Sequence, residues 1–94
     1  MNKADRVNWQ RLPGGEIIRE GLSDLEASVE TVPSLLVSIG APRLRSLGID
    51  VAGAAFADPE HRLYLLLARE NPNSAHSRYN ALIGRLVSFE RCVA

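Results

Sequence analysis

Two side chains in the second half of the sequence could act together on a phosphate group. Six residues separate Arg69 from His76. An arginine guanidinium can hold phosphate oxygens by charge-assisted hydrogen bonds, and a histidine can transfer a proton near neutral pH. His76 also opens the densest polar cluster in the chain, the run His-Ser-Arg-Tyr-Asn at 76–80. Within that run His76 and Asn80 share one helix face. The pair Arg69 and His76 is therefore a candidate catalytic site for RNA cleavage.

This spacing resembles the arginine-to-histidine motif of ribonucleases of the HEPN superfamily, which are small helical bundles. The resemblance covers eight residues of the 94 and rests on two common residue types, with Pro72 between them. It implies a ribonuclease in which Arg69 and His76 act on the phosphate. Pro72 is expected to end one helix before the next begins, which assigns the two side chains to different helices. Ribonuclease activity is the third of our three hypotheses.

A basic stretch, residues 39–47, is the second candidate site. This stretch predicts a short helix, a turn at Gly40-Ala41-Pro42 and a second helix that carries Arg43 and Arg45. That order is typical of a helix-turn-helix. It gives the second hypothesis, a nucleic-acid-binding or antitoxin-like regulator that uses Arg43 and Arg45. The whole chain has 11 basic and 11 acidic residues, so it lacks the net positive charge that would attract nucleic acid. The alternative interpretation is that both arginines form a solvated rim.

Cofactor and metal sites are not expected. His61 falls in the first turn of the helix before His76, so antiparallel packing would keep the two histidines apart. Cys92 is the only cysteine, which excludes a disulfide or a cysteine-based zinc site within one chain. Gly14-Gly15 follows no predicted strand and lacks the lysine of a phosphate-binding loop. No serine, histidine and acid are tied into a triad, so we expect a protein that is not an enzyme.

Composition limits the size and location of the protein. A chain of 94 residues with 46% apolar residues is enough for one domain with one core. A single cysteine fits a reducing compartment. No stretch approaches the roughly 20 apolar residues that span a bilayer, and residues 1–10 lack a signal-peptide core. We therefore predict a cytoplasmic protein that does not bind membranes.

The strongest structural prediction is a helical hairpin over residues 58–93. Asp58 is a candidate N-cap with Pro59 after it, and Pro72 should end this first helix near Glu70. The second helix should start at Asn73 or Ser74, both of which are capping residues, and run to 93. Its apolar residues recur at three- and four-residue intervals, at Tyr79, Leu82, Ile83, Leu86, Phe89 and Val93. The short connection makes the two helices antiparallel neighbours.

In the first half of the sequence the pattern predicts shorter helices. Residues 1–14 should be loosely ordered, with Trp9 packed on the surface of a single domain at 15–94. A helix should cover 16–29, with Ile18, Leu22, Leu25 and Val29 on one stripe, and Gly21 could mark a close helix–helix approach. Thr31 should cap a second helix that Gly40-Ala41-Pro42 interrupts, with a kink or a fresh start at Pro42.

A third short helix should cover residues 42–47. Gly48 is placed to end it in the left-handed conformation, with Ile49 touching Leu44. Residues 50–57 should be a connecting segment anchored by Val51 and Phe56.

We therefore predict an all-α protein, a bundle-like domain of four to five helices. The segments 35–39 and 63–68 have apolar residues on nearly all sides, so surplus apolar surface is expected there. The leading hypothesis is a small interaction module that forms a homo-oligomer or binds another protein. Its candidate partner-binding residues are Arg43, Arg45, His76, Arg78 and Tyr79.

Overall fold

The computed structural model describes residues 8–94, which form four α-helices: α1 (Gly15–Glu26), α2 (Val32–Ser46), α3 (Pro59–Glu70) and α4 (Ala75–Val93). Residues 8–94 contain no strand. The radius of gyration is 12.7 Å, close to the roughly 12.4 Å of a compact chain of this length. The prediction of an all-α protein is confirmed, with four helices rather than five. None of these helices has the length and apolar character needed to cross a bilayer. The predicted loose segment 1–14 lies half outside the described residues.

Helix α2 lies at the centre of the molecule. It contacts α1, α3 and α4, and Leu35, Leu36 and Val37 on consecutive positions are all completely buried. Consecutive helix positions point in different directions, so burial of all three requires neighbours on several sides. The expected surplus of apolar surface on residues 35–39 is therefore wrong, because the other helices cover this segment.

Helix α3 is covered on one side only. Leu63 and Leu67 are completely buried, while Tyr64 is 39% and Leu65 is 44% exposed. These residues follow the usual amphipathic spacing, since positions four apart share a face and their neighbours point elsewhere. The surplus apolar surface expected from residues 63–68 is therefore present, but limited to two side chains.

The capping prediction for α2 is confirmed. The Ser34 N–H donates to Thr31 Oγ1 at 3.2 Å, and the Thr31 N–H donates to Ser34 Oγ at 2.7 Å. This reciprocal capping box satisfies two backbone donors at the helix start. Thr31 Oγ1 also donates to Asp24 Oδ2 at 2.7 Å, which ties the start of α2 to α1.

The fresh start predicted at Pro42 is wrong, because α2 continues through Pro42 to Ser46. A proline inside a helix removes one backbone hydrogen bond. Here the residues beside it pack inside the protein: Gly40 and Ala41 are buried, and Leu44 is fully buried one turn later. A break would remove Leu44 from the core, so tertiary packing overrides the proline.

The end of α2 follows the predicted Schellman motif. Gly48 has a φ of +88°, in the left-handed region. The Gly48 N–H donates to Arg45 O at 3.0 Å, and the Ile49 N–H donates to Leu44 O at 3.0 Å. Ile49 and Leu44 are both buried, which is the apolar contact that accompanies this motif. The helix therefore ends where predicted, although it is one long helix rather than two.

Helix α1 ends earlier than predicted. It stops at Glu26, and Ser28 adopts a left-handed φ of +59°. The Val29 N–H donates back to Asp24 O at 2.8 Å, which closes a second helix stop of the Schellman type without glycine. Val29 is consequently 47% exposed and not part of the apolar stripe.

Two predicted side-chain caps are wrong. Asp58 occupies the N-cap position of α3 with a left-handed φ of +49°, and its side chain makes no capping hydrogen bond. Ser74 precedes α4, but its hydroxyl donates to Asn71 O at 3.4 Å instead of accepting from the helix. The ends themselves are as predicted, with α3 ending at Glu70.

The predicted close approach at Gly21 is confirmed. A Cβ built at Gly21 would overlap Pro33 O and lie 2.6 Å from Val37 Cγ2. Gly84 on the outer side of α4 is the opposite case, with nothing within 4 Å of its position. Packing therefore requires a glycine at position 21, whereas nothing around position 84 requires one.

We expect Gly21→Ala to lower the free energy of unfolding by about 1–2 kcal/mol, since overpacking outweighs the better helix propensity of alanine. Gly84→Ala is the matched control and should raise it by roughly 0.5–1 kcal/mol. Urea unfolding followed by circular dichroism measures both. Equal changes in the two variants would contradict the close approach of α1 to α2.

Candidate functional site

The two candidate catalytic residues lie in different surroundings. Arg69 is exposed near the end of α3 and lines a shallow cleft of about 170 Å³ with Glu30, Arg62, Leu65 and Leu66. His76 is exposed in the first turn of α4, with a ring nitrogen 3.2 Å from Asn80 Nδ2. No hydrogen bond or ion pair joins Arg69 to His76 within residues 8–94. His76 is not among the residues that line the Arg69 cleft.

The two arginines of the predicted nucleic-acid site have separate roles in α2. Arg45 Nη2 donates to Val51 O at 3.3 Å and to Gly53 O at 3.4 Å. Its guanidinium therefore holds the segment that connects α2 to α3. Because α2 is continuous, the turn of a helix-turn-helix is absent between residues 39 and 43. Arg43 instead acts electrostatically on Glu90 of α4.

The segment that Arg45 holds is irregular, as predicted, and its two predicted anchors are in place. Val51 is 6% exposed. Phe56 is partly buried, and its N–H donates to Ser38 Oγ at 3.1 Å. The Ser38 hydroxyl in turn donates to Ser34 O at 2.8 Å. One buried hydroxyl therefore connects the loop to the central helix.

The remaining predicted partner-binding residues, Arg78 and Tyr79, lie near the joint between α3 and α4. Arg78 Nη1 lies 2.8 Å from Glu70 Oε2 in a half-exposed ion pair. The rings of Tyr79 and Tyr64 meet edge to face at 6.1 Å between centroids. Burial, and to a lesser extent the nearby Glu60 carboxylate, raise the pKa of Tyr79. Tyr79 therefore presents a neutral hydroxyl.

Tyr79 belongs to a row of partly exposed apolar side chains that we call the outer stripe: Tyr64, Tyr79, Ile83 and Val87. Positions 79, 83 and 87 are four residues apart on α4 and share a face, and Tyr79 connects them to Tyr64 of α3. Val87 is 37% exposed. Sequence analysis included Tyr79 but missed Val87, although the four-residue spacing was a visible signal.

Two larger clefts lie on either side of α1, and their linings differ in charge. One, of about 360 Å³, has Trp9 and Gln10 on one wall and α1 on the other, with Glu16, Arg19, Glu20, Ser23 and Asp24. The Trp9 ring stacks on the buried Phe89 of α4, with centroids 5.5 Å apart and planes 4° from parallel. Trp9 thus packs on the domain surface.

The other cleft, of about 350 Å³, lies between α1, the start of α2 and α4. Its lining consists of Ile17, Val32, Arg78, Ala81, Leu82 and Arg85. Four of these are apolar and two are arginines, and none is acidic. We call this the arginine cleft. Sequence analysis included Arg78 as a candidate partner-binding residue but did not identify this cleft.

Within residues 8–94, no three histidine, cysteine, aspartate or glutamate side chains are grouped so that they could hold a metal ion. Cys92 is a free, exposed thiol. No protein-family model matches the chain, and no curated protein or solved structure matches it at a significant level.

Glu90 on α4 is a partly buried carboxyl group. Burial raises the pKa of Glu90, and the nearby Arg43 guanidinium offsets part of this effect. The folded protein thus holds this proton to a higher pH than the unfolded chain does. Ionisation of Glu90 must then oppose folding.

We expect the contribution of Glu90 to the free energy of unfolding to fall as pH rises above about 4.5, the ordinary pKa of a glutamate, until pH passes the raised pKa. Below this interval Glu90 is protonated in both states and contributes no penalty. Glu90→Gln removes the ionisable group. Across this interval the free energy of unfolding of the parent should therefore fall relative to that of the variant. Urea midpoints measured at several pH values test this. Parallel pH profiles for the two proteins would contradict it.

Proposed function

We propose that this protein is a small non-enzymatic module that binds a second copy of itself through the outer stripe. The observation that carries the proposal is the exposure of Tyr64 and Val87, at 39% and 37%. They are two of four large apolar side chains exposed among residues 8–94. Exposed apolar groups that adjoin one another favour an interface more than scattered ones do.

The proposal includes the finer arrangement of the last two helices, an antiparallel hairpin within a bundle-like domain. Two contacts across the connection support it. Glu70 at the end of α3 pairs with Arg78, near the start of α4. Tyr64, further back in α3, meets Tyr79. Both contacts place the start of α4 beside α3, as expected where a short connection joins antiparallel helices.

A second copy is the partner that fits best. The chain has a formal net charge of zero, so two copies would approach without long-range repulsion. A twofold axis would place the outer stripe of one copy against the same surface of the other. Four side chains are fewer than a standard interface of about 800 Å² per partner requires, so the dimer should be weak.

The environment we propose for this dimer is the cytoplasm. Cys92 is unpaired and exposed on the last turn of α4. An exposed free thiol is most compatible with a reducing compartment, where it is not oxidised to a disulfide between copies.

Sedimentation velocity across the micromolar range should reveal a monomer–dimer equilibrium in the parent protein. Val87→Glu should weaken the dimer by at least about tenfold, because a carboxylate would have to be desolvated in the interface. Ser88→Glu is the matched control: it adds the same charge at the next exposed position of α4, off the stripe, and should dimerise like the parent.

Circular dichroism must show that both variants are folded as the parent is. The proposal is overturned if the parent is a monomer at all concentrations. It is also overturned if the two glutamate variants dissociate to the same extent, since general charge rather than the stripe would then control association.

A further inference from the structure

The arginine cleft has the composition of a binding site for a small amphiphilic anion. Its apolar part comes from three elements, with Ile17 from α1, Val32 from the start of α2 and Leu82 from α4. Leu82 is 9% exposed, and the other two are partly buried. Side chains held by three packed helices make a surface that is formed before any ligand arrives.

The charge of this cleft has one sign. Arg78 and Arg85 are seven residues apart, so they lie two turns apart along one side of α4. Arg78 is already paired with Glu70. The Arg85 guanidinium makes no hydrogen bond or ion pair with any residue in the range 8–94. Arg85 can therefore offer its full set of donors to a carboxylate.

We propose that the arginine cleft binds a short-chain or medium-chain aliphatic carboxylate, with its carboxylate on Arg85 and its tail on Ile17, Val32 and Leu82. This goes beyond the proposed self-association, because the cleft involves none of the outer-stripe residues. Arg78 lies on the same rim, but the ion pair with Glu70 largely offsets its charge, so Arg85 is the group that binds the anion.

The volume sets the size of the ligand. The cleft measures about 350 Å³, near the lower end of the roughly 300–1,000 Å³ range of small-molecule sites. At about 30 Å³ for each water in the liquid, it holds about a dozen waters. A ligand of about a dozen non-hydrogen atoms, such as decanoate, matches this space.

The cleft on the other side of α1 provides an internal contrast. Glu16, Glu20 and Asp24 line it, and three carboxylates beside one arginine would repel an anion. The two clefts are nearly equal in volume. A carboxylate ligand should therefore prefer the arginine cleft because of its charge and its apolar lining, since the two clefts do not differ in size.

Decanoate is the probe for this proposal, with decanol and decyltrimethylammonium as neutral and cationic controls of the same chain length. Calorimetric titration should give saturable one-to-one binding of decanoate. Amide shifts in nitrogen–proton correlation spectra should centre on Ile17, Val32, Ala81 and Leu82. Decanol should bind at least about tenfold more weakly, and the ammonium compound should not saturate this site.

Three variants separate the cleft from general binding of an amphiphile. Arg85→Gln should weaken decanoate about tenfold. Ala81→Phe should weaken it by at least as much, because the ring fills the cleft. Arg91→Gln removes an exposed arginine of the same helix outside the cleft, and it should bind decanoate within about twofold of the parent.

The proposal is overturned if decanoate does not saturate, or if Arg85→Gln and Arg91→Gln bind it equally. Shift changes centred on the outer stripe, or equal binding of all three amphiphiles, would also overturn it. The dimer is measured separately by sedimentation without amphiphile, so failure of this site and failure of self-association are distinguished.

Discussion

The fold depends on how closely the neighbouring helices approach α2. Two glycines make this approach possible, one where α1 meets α2 and the other where α4 meets α2. Gly21 of α1 lies against the first turn of α2 at Pro33, and Gly40 of α2 admits Leu86 of α4, whose Cδ1 would lie 2.8 Å from an added Cβ. With neighbours this close, Leu35, Leu36 and Val37 are all removed from water. The apolar character of α2 is therefore used within one copy of the chain and leaves little for a partner.

The sequence predicts well those features that are determined by a few adjacent residues. Thr31 with Ser34 starts a helix, and Gly48 with Ile49 ends one, because each motif satisfies backbone groups within a few positions. The predictions at Pro42 and Asp58 are wrong for different reasons, since tertiary packing decides the first and a left-handed backbone the second. The core holds Leu44 in line with the rest of α2, which outweighs the lost hydrogen bond at Pro42, and the left-handed backbone at Asp58 turns its carboxylate away from capping.

The candidate sites also depend on tertiary packing, which the sequence pattern does not reveal. A spacing such as that of Arg69 and His76 indicates chemistry only if the fold brings the side chains together. In the structure one lies beside Arg62 and the other beside Asn80. Arg45 looked free in sequence, yet loop carbonyls six and eight residues away occupy it. Such contacts depend on where the connecting segment returns to α2, and this has no periodic signal.

Net charge conceals how the charges are arranged. Eleven basic and eleven acidic residues cancel in the total, but α1 directs Glu16, Glu20 and Asp24 to one cleft, and α4 directs Arg78 and Arg85 to another. Helical spacing alone produces this separation, since residues three, four and seven apart share a side. The outer stripe on α3 and α4 is a third surface, with apolar character instead of charge. A neutral chain of 94 residues can therefore present three chemically different surfaces, each suited to a different kind of partner.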